Sequence, residues 1–408
     1  MLIPPRPSSF LTIALATSAT IACVAADPVS SEQEALTATS YAAVAAGDAH
    51  SLALRSDGLV FAAGDNFAGQ LGNGTTHATG TGAPTLVTGL GQVTAIAAGC
   101  SHSLALRSDG TVWAWGNNSS GQLGIGTLLN QTTPVQVSVS GVAFQAIGAG
   151  CFHSLAIDTS GIVWTWGLDS QGQLGNGAAS STPTPVALTT VASAVDGGDE
   201  FSLALGPPTN LRVRATGRND NGQFGNGNTT PSQVLIAGNP RTGIGEMAAG
   251  SAHGISIGSG GVFAWGSNAS CALGPAANGA SFSTTPVMVT NSFGFAGHLS
   301  AGRFYSLATM SSGFGGGPIV VGWGRNDAGQ LGIGATSAQN CFVTTAARFA
   351  NGGQVVPSTA RGAIAAGARH ALVVDSTGHV LAWGANSLGQ LAIGTTATAV
   401  WATPTMFP

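Results

Sequence analysis

Short apolar runs that alternate large and small residues recur along most of the chain at a nearly constant interval. The run Gly-x-x-His-Ser-Leu-Ala-Leu begins at Gly47, Gly99, Gly150, Gly198, Gly250, Gly302 and Gly367, seven copies spaced 48 to 65 residues apart, with decay in the fourth and sixth. A period near fifty residues specifies an array of one supersecondary unit rather than a single-copy fold. In the second copy Leu104-Ala-Leu-Arg107 is followed by Ser108-Asp-Gly110 and then by Thr111-Val-Trp-Ala-Trp115, which reads as strand, tight turn, strand. Period-two alternation puts Leu104 and Leu106 on one side of their strand with Ala105 on the other, and Trp113 and Trp115 opposite Val112 and Ala114. This predicts sheets with one large-residue face and one small-residue face, stacked large into small.

A second pattern follows the first in every copy. A strand ends at Gly64, Gly116, Gly167, Gly217, Gly266, Gly324 or Gly384, usually as Trp-Gly, and continues as Asn-x-x-Gly-Gln-Leu-Gly. An extended segment such as Thr133-Pro134-Val135 then precedes the next copy, its proline suited to an outer edge strand. Units that cannot bury a face alone must stack, and radial closure protects the end faces of the stack.

GDAHSLALRSDG, GCSHSLALRSDGTVWAWGNNSSGQLGIG and GARHALVVDSTGHVLAWGANSLGQLAIG resemble repeats of the regulator of chromosome condensation family, and the resemblance covers residues 41–408. It implies an all-β fold, a seven-bladed β-propeller of four-stranded antiparallel blades closed by the N- and C-terminal segments. Tyr41 to Gly47 and Thr403 to Phe407 are expected to meet and complete one blade together.

Residues 1–26 read as a signal: Arg6, an apolar stretch from Phe10 to Ile21, then small residues that fit cleavage before Asp27. Thr20-Ile-Ala-Cys23 is also similar to a bacterial lipoprotein box, in which Cys23 carries the lipid and is the chain's one membrane contact. Residues 27–40 read as a flexible tether. The expectation is a secreted or envelope-attached, bacterial-type member of the family. Cys100, Cys151, Cys271 and Cys341 form an even set, which in an exported chain permits two disulfides, with Cys100 and Cys151 at equivalent places in adjacent repeats.

Charge excludes one class of partner. All twelve basic residues are arginine against 16 acids, for a net charge of −4, so no clustered positive surface is available for nucleic acid. His50, His102, His153, His253 and His370 share one repeat position; a residue demanded in most blades has a packing and hydrogen-bonding role, since a catalytic pair is needed once. The repeated loop asparagines read the same way, as turn stabilisers. No ligand spacing for a metal is present, and no cofactor is expected.

The residues that vary between copies are the candidates for recognition. The pair after each repeat glycine changes from blade to blade, and with the departures in copies four and six it nominates Phe152, Asp199, Glu200, Phe201, Arg303, Phe304, Tyr305 and Arg369 as a partner-binding rim rich in aromatic and arginine side chains. The leading reading is a noncatalytic, monomeric protein-binding scaffold directed at an extracellular or envelope protein; some secreted propellers of similar repeats inhibit proteins, including β-lactamases. The alternatives are guanine-nucleotide exchange on a small GTPase, as the family's namesake performs, and a propeller hydrolase or lyase, which needs two positioned carboxylates.

Overall fold

The computed structural model describes residues 40–408 apart from 78–79, 81, 259, 278, 291–295, 312–317, 346, 352 and 361. The signal, Cys23, the tether up to residue 39 and the glycine-rich turn Gly313 to Gly317 lie outside the described residues. Among the described residues no helix is long and apolar enough to cross a membrane.

Seven four-stranded sheets form, each from four consecutive strands in the order innermost to outermost. In blade 2 these are Val93–Ala98, His102–Arg107, Val112–Gly116 and Gln131–Gln136. Blade 1 spans residues 41–86, blade 3 144–191, blade 4 194–237, blade 5 246–290, blade 6 296–345 and blade 7 364–404. All pairings are antiparallel, and the second and third strands meet in uninterrupted register, Leu104 opposite Ala114 and Leu106 opposite Val112. The Asp-Gly turn works as its chemistry dictates: Thr111 N–H donates to Asp109 Oδ1 at 3.0 Å, and Gly110 takes φ 80°.

The register corrects the expected division into large and small faces. Leu104, Leu106, Val112 and Ala114 share one face of blade 2, while Trp115, Trp113 and Ala105 share the other. Bulk alternates within each face, so the tryptophan of one blade seats against the Leu-Val-Ala surface of the blade before it. Trp166 packs on Leu104, Leu106, Val112, Ala114 and Leu123, and its indole Nε1–H donates to Gln122 O at 2.9 Å. Trp115, Trp265, Trp323 and Trp383 repeat this with the carbonyls of Gln70, Gln223, Ala272 and Gln330. Blade 4 replaces the bond with one from a smaller group, Thr216 Oγ1–H to Gly172 O at 2.8 Å, one residue before the carbonyl equivalent to those the tryptophans use. Blade 1 carries Ala63 there, and its long loop crosses instead onto blade 7, where Gly394 N–H donates to Gly82 O at 3.0 Å.

The ring closes, but not through a shared blade. Tyr41–Ala46 pairs within blade 1 and Ala399–Pro404 within blade 7, so each chain end completes its own sheet. The ends still meet between the blades: Tyr41 OH donates to Pro408 O at 2.6 Å and its ring lies 6.0 Å from that of Phe407. The seven repeat glycines explain why the approach must be so close. A Cβ on Gly47, Gly99, Gly150, Gly198, Gly250 or Gly302 would come well inside 3.0 Å of the carbonyl oxygen of the next repeat glycine, and one on Gly367 would do the same with Gly47. The insertion before blade 7 braces the opposite end of the ring. Thr359 O accepts from His298 of blade 6 at 2.9 Å, and Gly362 O accepts from Val44 N–H of blade 1 at 2.9 Å.

Candidate functional site

The first and second strands of every blade are joined by the turn that contains the variable pair, and these turns surround one mouth of the central channel. Backbone bonds stitch them together: Asp48 N–H to Cys100 O at 3.2 Å, Cys100 N–H to Cys151 O at 3.3 Å, Asp199 N–H to Ser251 O at 3.1 Å, and across the seam Ala368 N–H to Gly47 O at 3.3 Å.

Beneath the turns runs a buried relay of side chains. His50 Nε2 lies 3.0 Å from Ser103 Oγ, His102 2.9 Å from Ser154, His153 2.7 Å from Ser202, His253 2.9 Å from Ser306, and His370 2.9 Å from Ser51, each bond crossing to the next blade. The single hydroxyl hydrogen of Ser103, Ser154, Ser202 and Ser51 goes to a loop carbonyl, at 2.7 to 3.0 Å. At these four joints the proton shared with histidine is therefore the imidazole's own, so His50, His102, His153 and His370 are neutral rings protonated at Nε2. Burial agrees, holding His50 and His102 down at about 3 and His153, His253 and His370 at about 4.

The same relay corrects two rim assignments. Phe201 and Tyr305 are 1% and 0% exposed and fill the histidine position in their blades. Their next blades lack the serine, carrying Gly254 and Ala371 in its place. Phe201 thus faces a joint with no hydroxyl to accept from a histidine, and Tyr305 OH donates to the His370 carbonyl instead. Both are joint residues rather than exposed rim aromatics: Tyr305 is fully enclosed, and Phe201 reaches the recess at the mouth only as a buried part of its wall.

The remaining variable residues divide. Phe152 (38% exposed), Asp199, Glu200, Arg303 and Phe304 converge on one recess of about 480 Å³ at the mouth, together with Asp48, Leu168 and Arg218. Arg369 stands apart, its guanidinium donating to Asp327 Oδ2 at 2.8 Å. Glu200 is paired with Arg218 at 2.9 Å. Burial pushes the Asp199 carboxyl up to about 6 and raises that of Asp48; Arg303 opposes both shifts, and Asp48 adds to that of Asp199. Phe304 has φ 66°, a left-handed backbone costly for a bulky residue, while the equivalent residues of the other turns do not. Below the recess the channel encloses about 490 Å³, lined mostly by alanine, glycine and serine with Asp196 and Glu246 among them. Burial lifts Asp196 to about 7 although it accepts from Ala249 N–H at 2.8 Å.

Arg218 and Leu168 were absent from the sequence candidates, yet a signal for them exists. Each follows the glycine that ends the third strand, and the N–H of that residue donates to the carbonyl of the second variable residue in all seven blades, as Leu168 does to Phe152 and Arg218 to Glu200. This third variable position therefore belongs to the same rim.

The cysteines and asparagines hold the platform. Cys100 is bonded to Cys151, with Cα atoms 4.5 Å apart, across the joint of blades 2 and 3. Asp48 lies within 4.8 Å of both sulfurs, but their bond to each other uses up the thiolates that a metal would need. Cys271 replaces the glycine of Asn-x-x-Gly in blade 5, keeps its positive φ of 63°, and is bonded to Cys341 on the outer strand of blade 6. In the other loops this glycine presses on the same outer-strand site of the next blade, as Gly69 does on Thr132 and Gly121 on Pro183. Asn118 shows the loop role: its Oδ1 accepts from Leu123 N–H at 2.9 Å and its Nδ2 donates to Thr127 O at 2.8 Å.

Known proteins share this architecture. The RCC1-like domain matches residues 19–296 and the regulator of chromosome condensation (RCC1) repeat matches residues 363–390. The ultraviolet-B receptor UVR8 of Arabidopsis thaliana is 29% identical over 364 residues, covering 86% of this chain and 78% of the receptor. The E3 ubiquitin-protein ligase HERC2 of Homo sapiens is 29% identical over 310 residues, 72% of this chain but 6% of the ligase. Crystal structures of human WBSCR16 and of Prp20p from Saccharomyces cerevisiae superpose with TM-scores of 0.71 at 20% identity, covering 86% of this chain and 94% and 86% of theirs, a likeness of fold. The chain belongs to the RCC1-like domain family.

Proposed function

We propose that this chain is a noncatalytic protein-binding scaffold that acts as a monomer outside the cytoplasm and recognises an extracellular or envelope protein at the channel mouth. One observation carries the reading. The repeated residues of this face are consumed in bonds between blades, whereas the unrepeated Phe152, Glu200, Arg303 and Phe304 gather around a single recess. Aromatic and arginine side chains around a concavity on a rigid frame are what an interface hot spot requires. Export is supported by the apolar segment before residue 22 and by two inter-blade disulfides, which persist in oxidising compartments.

A catalytic reading would have to use Asp48 and Asp199, half-buried acids that share the recess. Exchange on a GTPase has its support in the family alone, and Prp20p is described by its binding to Gsp1p and histones. Crosslinking the protein in its native envelope tests the scaffold reading. Phe152→Ala, Arg303→Ala and Phe304→Ala are expected to abolish capture of the partner, while Asp57→Asn on the opposite hairpins leaves it intact. Capture indifferent to all three mouth substitutions would refute it.

A further inference from the structure

The acids around the mouth are not equivalent. Glu200 and Asp220 share Arg218, at 2.9 and 2.6 Å, and Asp327 is held by Arg325 and Arg369, at 2.6 and 2.8 Å. Among the described residues the carboxylates of Asp48 and Asp199 have neither a hydrogen bond nor an ion pair within 4.0 Å, though both are half-buried and line the same recess. Arg303 is near enough to both to favour their charged forms but is exposed and pairs with neither. Desolvated carboxylates without a partner are a standing cost to the fold, and an incoming cation removes it.

The walls add the second half of the description. Phe152, Leu168 and Phe304 line the recess with the acids, and Phe304 is held there by a left-handed backbone that a bulky residue does not adopt unless its surroundings impose it. The five charged residues that line it, Asp48, Asp199, Glu200, Arg218 and Arg303, sum to −1, and Glu200 and Arg218 neutralise each other. An anionic group would be repelled by two carboxylates and attracted by one guanidinium, whereas a cation is attracted by two and repelled by one.

We infer that the recess takes a basic side chain of the partner protein, an arginine or lysine flanked by an apolar residue, with its charge between Asp48 and Asp199 and the apolar residue against Phe152, Leu168 and Phe304. The inference rests on the mouth being the binding face, and it names the chemistry that this face selects.

Selection of a random heptapeptide phage library on the full oxidised chain tests it. Enriched sequences are expected to share Arg or Lys beside Phe, Leu or Trp, and a synthetic peptide of that sequence is expected to bind at least tenfold more weakly to Asp48→Asn/Asp199→Asn. Asparagine matches aspartate in shape and removes the unpaired charge, so the variant stays folded, which its denaturant midpoint verifies. Enriched peptides without a basic residue, or binding indifferent to the double substitution, overturn the inference. If such binding is still lost with Phe152→Ala and Phe304→Ala, the mouth remains the binding face; if it is not, that reading falls as well. No enrichment over an unrelated protein overturns the inference.

Discussion

Ser154→Ala isolates the bond that joins one blade to the next. Ser154 Oγ accepts from His102 Nε2 at 2.9 Å and donates to Gln122 O at 2.8 Å. Removing the hydroxyl leaves the carbonyl with a second donor, Trp166 Nε1 at 2.9 Å, but leaves the imidazole N–H with none. An unsatisfied buried donor costs about 1–3 kcal/mol. His102→Phe has the opposite asymmetry, since Ser154 still donates to Gln122 and no group is orphaned; the expected loss is one net hydrogen bond, about 1 kcal/mol. In the His102→Phe/Ser154→Ala double variant no N–H remains to be orphaned, so the serine substitution costs less there than in the parent. The joint between blades 4 and 5 already has this form, with Phe201 facing a blade that carries Gly254. A double-mutant cycle by urea unfolding is expected to give a coupling of about 1–2 kcal/mol at unchanged m-value. A coupling below about 0.5 kcal/mol would refute the claim that the histidine proton is spent on the neighbouring serine.

The five relay histidines titrate near 6.5 in the unfolded chain but only at about 3 to 4 when folded, so the unfolded state takes up protons first as pH falls below 6.5. Stability should therefore drop between pH 6.5 and 4, by about 2 kcal/mol per histidine at pH 5, and partly recover from Asp196, Asp169 and Asp199, whose raised carboxyls protonate earlier when folded. Urea midpoints at pH 7.5 and 5.0 check this; an equal or higher midpoint at pH 5.0 would contradict it. Gly99→Ala drives a Cβ into the Gly150 carbonyl and the His102 ring, and should cost about 3 kcal/mol or prevent folding, whereas Gly91→Ala, with open space around it, should stay within about 0.5 kcal/mol in thermal unfolding.

What the sequence revealed depended on whether a residue's role lies within one repeat or between two. The strands, turns and number of blades follow from local pattern: Leu104-Ala-Leu, Asp109-Gly110 and Trp-Gly state their own geometry. The joints do not. Phe201 looked like an exposed aromatic because its meaning lies in Gly254, one repeat later, and Tyr305 because its meaning lies in Ala371. A search for departures that occur in pairs one period apart would have placed both in the core. The ion pair of Arg369 was hidden for a similar reason, since Asp327 sits on the loop of the preceding blade. The blade frame was also hidden: the repeat text starts partway through a unit, but Tyr41–Ala46 supplies the missing inner strand to blade 1 itself. Of the recess, Phe152, Asp199, Glu200, Arg303 and Phe304 were legible as variation on a fixed scaffold. Leu168 and Arg218 were not, because the residue after the third-strand glycine reaches the rim only once the strands are folded beside each other.

The mouth exists only if the ring is closed between blades 7 and 1, where Ala368 and Asp48 occupy the turn position that Cys100 and Cys151 occupy in blades 2 and 3. The decisive measurement moves that bridge to the seam: Asp48→Cys and Ala368→Cys in a chain whose Cys100 and Cys151 are both serine, oxidised, cut at arginine and examined by mass spectrometry without reduction. In a closed ring one peptide pair is linked through residues 48 and 368. Two free thiols in a protein that is folded by every other measure would contradict it.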